Sequence, residues 1–297
     1  MTHGLTGAVI GYCGFRQRAG PAALWASIAA AEFPDADILG AFINGEVYLR
    51  WHRSFTHSAL LLPLWAALVA AVFWAFARRS RFGVLWLAAG AGLVSHLFLD
   101  WITNYGTMLL WPASDARFAL SWVFILDPYV WAMLGVTLWA ALRTRRPGTA
   151  RAGLVVVAAY FLLCAGSRFL AHSAVSAPLG VFAQPMNPFR WSVVWSDADG
   201  IHWSDGRGNE TFVSFRDDRL LPRAEATEAV KLFRWFAAIP LVERREEHGL
   251  IVLRYRDLRF RTRLPWGEIN EGLFVVARVS FDRAGNLVSA VLTSERG

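Results

Sequence analysis

Eight residues in the first half of the chain have the types and spacing for metal chemistry: His3, Asp35, Asp37, His52, His57, His96, Asp100 and Asp127. Imidazole nitrogens and carboxylate oxygens, with no cysteine among them, suit Zn²⁺, with Mn²⁺ or Fe²⁺ as alternatives; the histidines argue against a pure Mg²⁺ or Ca²⁺ cage. His96-Leu-Phe-Leu-Asp100 is an i, i+4 pair, so both side chains share one helix face and can grip one ion. His52 and His57 lie five apart, about 140° round a helix, so this spacing puts His52 in a loop and His57 in the first turn of the helix that follows. Asp35 and Asp37 follow Pro34 in a stretch that reads as non-helical. The expected metal ligands are therefore His3, Asp35, His52, His57, His96 and Asp100, around one or two ions. Asp37 or Asp127 is expected to complete a second ion site or act as general base. Arg53, next to His52, is expected to stabilise an anionic transition state.

These side chains need elements to position them, and the composition points to a membrane. The chain has 297 residues, 55% of them hydrophobic. Residues 1–184 hold 13 of the 30 Arg and Lys and only 7 of the 23 Asp and Glu, so the charge-poor part ends near there. Four long apolar runs, at residues 56–77, 82–101, 118–142 and 152–174, are each long enough to cross a hydrocarbon core of about 30 Å. Two shorter runs, at 4–15 and 22–33, suit a half-penetrating helical hairpin. Arg78, Arg79 and Arg81, and then Arg143, Arg145, Arg146 and Arg151, mark cytoplasmic turns. In that topology all eight candidate residues fall at one level, near the outer face. Ionisable residues there are costly to bury and are functional candidates by default.

The rest of the chain reads as soluble. Residues 191–195, 211–215, 250–255, 273–281 and 287–293 alternate like strands between Asp-Gly and Gly-Asn turn signals, and 223–237 reads as one helix. The expected fold is a membrane all-α helical bundle, with four long spans plus a short N-terminal helical hairpin, followed by a small soluble α+β domain. Residues 1–178 would be the membrane-embedded metal-site domain and 185–297 an extracytoplasmic α+β domain. The pI of about 10.1 does not imply nucleic-acid binding, because the excess Arg sits in short clusters between apolar runs. Cys13 and Cys164 suggest neither a disulfide framework nor a Cys-based metal site. The N-terminus lacks a basic region and a cleavage site, and reads as mature sequence.

Several motifs carry a family likeness: Thr2-His3-Gly4, Phe33-Pro34-Asp35-Ala36-Asp37, His52-Arg53-Ser54-Phe55-Thr56-His57-Ser58, Ser95-His96-Leu97-Phe98-Leu99-Asp100, Asn104-Tyr105-Gly106-Thr107 and Trp111-Pro112. In this order they resemble the YdjM-like bacterial inner-membrane family over roughly residues 1–175. The resemblance implies a metal-dependent hydrolase of the inner (plasma) membrane with its metal site at the matching residues, and it implies no substrate. A site near the outer face favours a lipid or lipid-linked phosphate ester, so the expected partners are the lipid membrane and an amphipathic lipid substrate. The competing readings are a non-enzymatic membrane metal-binding or transport protein and a membrane scaffold. Transport is less favoured because the ligands form no ladder through the membrane and no second half mirrors the first.

Overall fold

The computed structural model describes residues 1–216, 219–270 and 275–294. The chain divides into two compact units, one of residues 1–39 and 51–165, the other of residues 40–50 and 166–297.

In the first unit, α1 (Thr2–Ile10) passes through a π-helical turn at Gly11–Phe15, where Gly14 takes φ +128°, and a short turn at Arg16–Ala19 into α2 (Pro21–Glu32). A 3₁₀ stretch, Phe33–Phe42, carries the chain away from α2. After α3 (Gly45–Trp51), which belongs to the second unit up to Arg50, and a 3₁₀ turn at Phe55–His57 come α4 (Leu62–Phe76) and α5 (Phe82–Trp101). A long irregular segment then leads to α6 (Pro128–Thr144) and α7 (Pro147–Ser173). Proline opens α2, α6 and α7, where its missing N–H costs no hydrogen bond.

The helices that build the site meet through small residues. Ala23, Ala26, Ala30 and Ala31 form a fully buried face on α2. At Gly7 of α1 a Cβ would stand 2.8 Å from Ser27 O, and at Gly92 of α5 only 2.4 Å from the same oxygen. Both glycines let backbones approach where any side chain would hold them apart. Ser27 Oγ adds a hydrogen bond to Gly7 O at 2.8 Å.

Two of the four expected long spans are present as such. Phe82–Trp101 and Pro147–Ser173 are long and apolar enough to cross a membrane. The run at 56–77 yields only the 15 residues of α4, about 22 Å at 1.5 Å per residue. The preceding helical stretch, Gly45–His57, meets it at a 79° bend, so the pair counts at most as one broken span. Ser58 makes that bend: its Oγ accepts from Leu60 N and Leu61 N and donates to Trp111 O. The run at 118–142 is not one helix either. Its first part is extended and bonds back to the end of α5, through Leu120 N to Trp101 O (2.8 Å) and Trp122 N to Ile102 O (2.8 Å). Helix begins only at Pro128, because proline disfavours helical backbone at the residue before it. Leu120, Trp122 and Val123 of this part pack in the core around Ile102 and Leu134, whereas Ile125 and Leu126 are exposed.

The second unit is rich in β-sheet. One antiparallel sheet has the order β1 (Gly180–Gln184), β2 (Asn187–Ser196), β3 (Ile201–Ser204), β4 (Asn209–Phe212). Two helices follow, α8 (Leu221–Glu225) and α9 (Glu228–Phe236). The single helix expected at 223–237 is broken because Thr227 takes extended backbone and caps α9 with its side chain. Next come β5 (Pro240–Glu247), β6 (Leu250–Asp257) and a small β7 (Thr262–Arg263)–β8 (Ile269–Asn270) hairpin. β9 (Val275–Phe281) and β10 (Leu287–Ser294) complete a second sheet in the order β10-β9-β6-β5. Residues 273 and 274 of the strand expected at 273–281 lie outside the described residues. Val230 and Phe233 of α9 pack with Leu253, Tyr255 and Val279 of that sheet.

The α2–α5 contact generates a prediction. Gly92→Val should cost about 1–3 kcal/mol through overpacking against the α2 backbone, read as a lowered thermal midpoint of the protein in detergent. Gly83→Val is the control, since a Cβ at Gly83 meets nothing within 4 Å; an equal loss for both variants would mean that helix propensity, not the crossing, sets the cost.

Candidate metal centre

Four side chains from three segments converge on one point. α5 presents His96 and Asp100 on one face. Asp35 comes from the 3₁₀ stretch after α2, and His57 from the turn before α4. One ligand atom from each lies within 4.8 Å of all the others. His57 Nε2 stands 3.0 Å from His96 Nε2 and 3.1 Å from Asp100 Oδ2. Asp35 Oδ1 is 3.6 Å from His96 Nε2 and 3.8 Å from His57 Nε2. His57, His96 and Asp100 are buried, whereas the Asp35 side chain is 39% exposed, so the group opens on the Asp35 side.

The protons on the two imidazoles follow from what lies behind them. His96 Nδ1 is 2.7 Å from Ala31 O, and a carbonyl only accepts, so this nitrogen donates. His57 Nδ1 is 3.0 Å from Thr56 Oγ1 and 3.2 Å from Asp37 Oδ2. The Thr56 hydroxyl gives its own proton to Asp37 at 2.9 Å, which leaves His57 Nδ1–H as the donor on that side. In neutral rings both Nε2 atoms then carry bare lone pairs, facing each other at 3.0 Å. Asp100 Oδ2, buried beside them, accepts no hydrogen bond. Three carboxylates, Asp35, Asp37 and Asp100, face one guanidinium, Arg53, whose Nη2 is 2.9 Å from Asp100 Oδ1. Two imidazole nitrogens facing each other, a buried carboxylate oxygen that accepts no hydrogen bond and three carboxylates against one guanidinium are what a bound divalent cation would neutralise, so the donor set fits such an ion.

The other candidate residues stand around this group. His3 Nε2 is 3.5 Å from Asp100 Oδ1 and 3.9 Å from Asp35 Oδ2, and its ring stacks on His96 with centroids 3.8 Å apart. Burial pushes the His3 imidazole down to about 4; His96 adds to this, and Asp100 and Asp35 oppose it. It is therefore neutral at pH 7. Asp37 lies behind His57: it takes His52 Nδ1 at 2.7 Å and Arg53 N at 2.9 Å besides Thr56. Burial alone would raise its pKa, but the hydrogen bonds from His52 and His57 outweigh that and hold it well below the usual carboxylate range. His52 is thus directed at Asp37 and stands outside the four-residue group. Arg53, at φ +62°, bonds Thr103 Oγ1 and lies over the Tyr105 ring.

Asp127 does not sit in the third turn of a helix, as its place in the run at 118–142 suggests. It is the N-cap of α6, accepting from Tyr129 N (2.9 Å) and Val130 N (3.1 Å), and its other oxygen takes the Tyr160 hydroxyl at 2.7 Å. A cavity of about 40 Å³, lined in part by His3, Asp100, Thr103 and Asp127, lies between it and the group. Three participants escape sequence reasoning: the Ala31 carbonyl, Thr56 and Thr103. Thr56 lies inside the His-x-x-x-Thr-His motif and could have been found there; a backbone carbonyl leaves no such signal.

The family profile described as YdjM inner membrane protein matches residues 1–171. The chain belongs to the YdjM family. All nine candidate residues fall inside the match, and the match ends ahead of β1. With its two candidate apolar spans, the chain is a membrane protein of that family carrying a candidate metal-binding group. YfhP of Bacillus subtilis, an uncharacterized protein, is 31% identical over 122 residues, which cover 40% of this chain and 37% of YfhP. The inner membrane protein YbcI of Escherichia coli is 38% identical over 114 residues, 35% of this chain and 62% of YbcI. The chain thus spans less than two thirds of the length of either relative. No solved structure matches it.

Asp37 and Asp127 are separable by mutation. Asp37→Asn, which weakens the hold on His57, should lower divalent-ion affinity about 10–100-fold, measured by zinc or manganese titration of the protein stripped of metal. Asp127→Ala should leave that affinity unchanged and cost about 0.5–2 kcal/mol through the lost cap, seen in thermal unfolding.

Proposed function

We propose that this protein is a membrane-bound, metal-dependent hydrolase. The observation that carries the reading is the pair of Nε2 atoms set 3.0 Å apart beside Asp35 and Asp100. Asp35, His57, His96 and Asp100 would hold a divalent ion, zinc by preference and manganese or iron next. When bound, such an ion supplies Lewis acidity, lowering the pKa of a water and polarising an ester group. His3 borders the same group and is neutral at pH 7, which suits it to a fifth ligand or to a second ion. Asp37 and His52 orient His57. Arg53 is committed to Asp100 and Thr103, which favours positioning the ligand over meeting a transition state. Asp127 is committed to its cap and to Tyr160, which favours a structural role.

The substrate proposed is a lipid or lipid-linked phosphate ester at the outer face of the inner membrane. Two features support it: the family's membrane location, and the opening of the group at Asp35, followed by the exposed apolar Ile38 and Leu39. The Arg clusters favour a multi-pass topology with the C-terminal part extracytoplasmic.

The full chain, purified in detergent without chelators, should contain close to one or two equivalents of metal by mass spectrometry and should hydrolyse phosphate-ester lipids. His96→Ala and Asp100→Ala should lose both metal and turnover. Acidification should release the metal, because protons compete for the same nitrogens. Protein without metal would overturn the whole reading; metal without hydrolysis across ester lipids would leave a metal-binding membrane protein.

A further inference from the structure

The helical unit gathers arginines at one end. Arg16 and Arg18 sit on the turn between α1 and α2. The cluster at 78–81 lies between α4 and α5, and the cluster at 143–151 lies where α6 gives way to α7. Two hydrogen bonds tie these clusters to the hairpin turn: Ser80 Oγ donates to Ala19 O at 3.0 Å, and Arg151 Nε donates to Cys13 O at 3.0 Å. Packing agrees. Phe15 and Ala19 share a core cluster with Trp74 and Leu85, and Tyr12 shares another with Ala141 and Ala150. α5 starts at this end and carries His96 and Asp100 near its other end; its 20 residues span about 30 Å.

All nine of these arginines are exposed. Residues 10–31, 66–95 and 128–165, which build this end, contain no Asp or Glu to balance them. So many like charges repel one another and attract an anion. The surroundings decide which anion. Arg78 lies over the Trp74 ring at 4.2 Å, Arg16 over Tyr12 at 5.2 Å and Arg143 over Trp139 at 5.7 Å. Phe76, Phe82 and Trp139 are themselves exposed. The two helices apolar enough to span, α5 and α7, both begin here. Aromatic rings beneath guanidinium groups at the ends of such helices mark the depth of lipid phosphates. A soluble polyanion would meet the arginines but leave the rings in water. The guanidinium fork also matches the oxygens of a phosphate diester two at a time.

We propose that this end of the helical unit is a binding site for anionic phospholipid, its phosphates held by Arg16 and Arg18 on the hairpin turn and by the arginines of the two neighbouring turns. The bound lipid fastens the α1–α2 hairpin, which carries His3 at its far end, to the leaflet away from the candidate metal group. The site depends on α5 and α7 crossing the bilayer and is independent of any metal.

The test is native mass spectrometry of the full chain released from nanodiscs that hold equal parts of phosphatidylglycerol and phosphatidylcholine. Lipid retained on the protein should be enriched several-fold in phosphatidylglycerol. Arg18→Gln, Arg79→Gln and Arg146→Gln combined, one from each turn, should remove most of that enrichment. Arg216→Gln, Arg245→Gln and Arg283→Gln combined take equal charge from the β-rich unit and should leave it intact. Matching thermal midpoints in uncharged detergent check that the first triple variant folds; where they differ, the single variants Arg18→Gln and Arg79→Gln replace it, and each should lower the enrichment. Retained lipid with no preference for phosphatidylglycerol would overturn the site, as would an equal loss in both triple variants. A short DNA duplex that binds in discs of either lipid and is not displaced by phosphatidylglycerol would also overturn it, assigning the arginines to a soluble polyanion.

Discussion

An imidazole has two nitrogens and, when neutral, one proton, so fixing the proton on one nitrogen aims the lone pair of the other. Two such fixings organise the candidate centre. His96 gives its Nδ1 proton to Ala31 O, and His57 gives its own toward Thr56 and Asp37. Both Nε2 atoms are thereby turned to one place, where Asp35 and Asp100 add oxygens. The Ala31 carbonyl is within reach of His96 because Gly92, one turn earlier on the same helix, lets α5 lie against α2. The close helix crossing and the ligand geometry are the same constraint seen at two levels.

The charges follow the same logic. A carboxylate as buried as Asp37 is tolerable only when fully hydrogen-bonded, and the loop from His52 to Thr56 wraps it with three donors. That loop holds Arg53 in left-handed backbone, a conformation costly for a residue with a side chain, and the hydrogen bonds around Asp37 and Asp100 hold it there. Asp100 has one oxygen satisfied by Arg53 and one left without a donor. The difference between the two oxygens separates the structural side of the centre from the side that can take a cation.

Much of the centre is legible in the residues themselves. The i, i+4 spacing of His96 and Asp100 needs only a helix, and Phe82–Trp101 is apolar enough to be read as one. The helix boundaries at 56–77 and 118–142 are not legible, because hydropathy reports burial and not what does the burying. Of the apolar residues at 118–126, Leu120, Trp122 and Val123 pack into the helical core as an extended segment bonded to the end of α5, while Ile125 and Leu126 stay exposed. In the β-rich part, alternation marks the half-buried strands, whereas β5, with the charged run Glu243–Glu247, hides its pairing with β6 because it is an edge strand with one solvated face.

Residue types and spacing thus determine that this chain has a charge-poor helical part carrying a nitrogen and oxygen donor set, and that His96 and Asp100 share one helix face. Tertiary structure alone decides the rest: which histidine faces the centre and which stands behind it, that Asp127 caps a helix, and that a backbone carbonyl sets the tautomer of His96. The reason is that spacing constrains neighbours on one element, whereas a ligand set drawn from three segments depends on how closely two helix backbones approach.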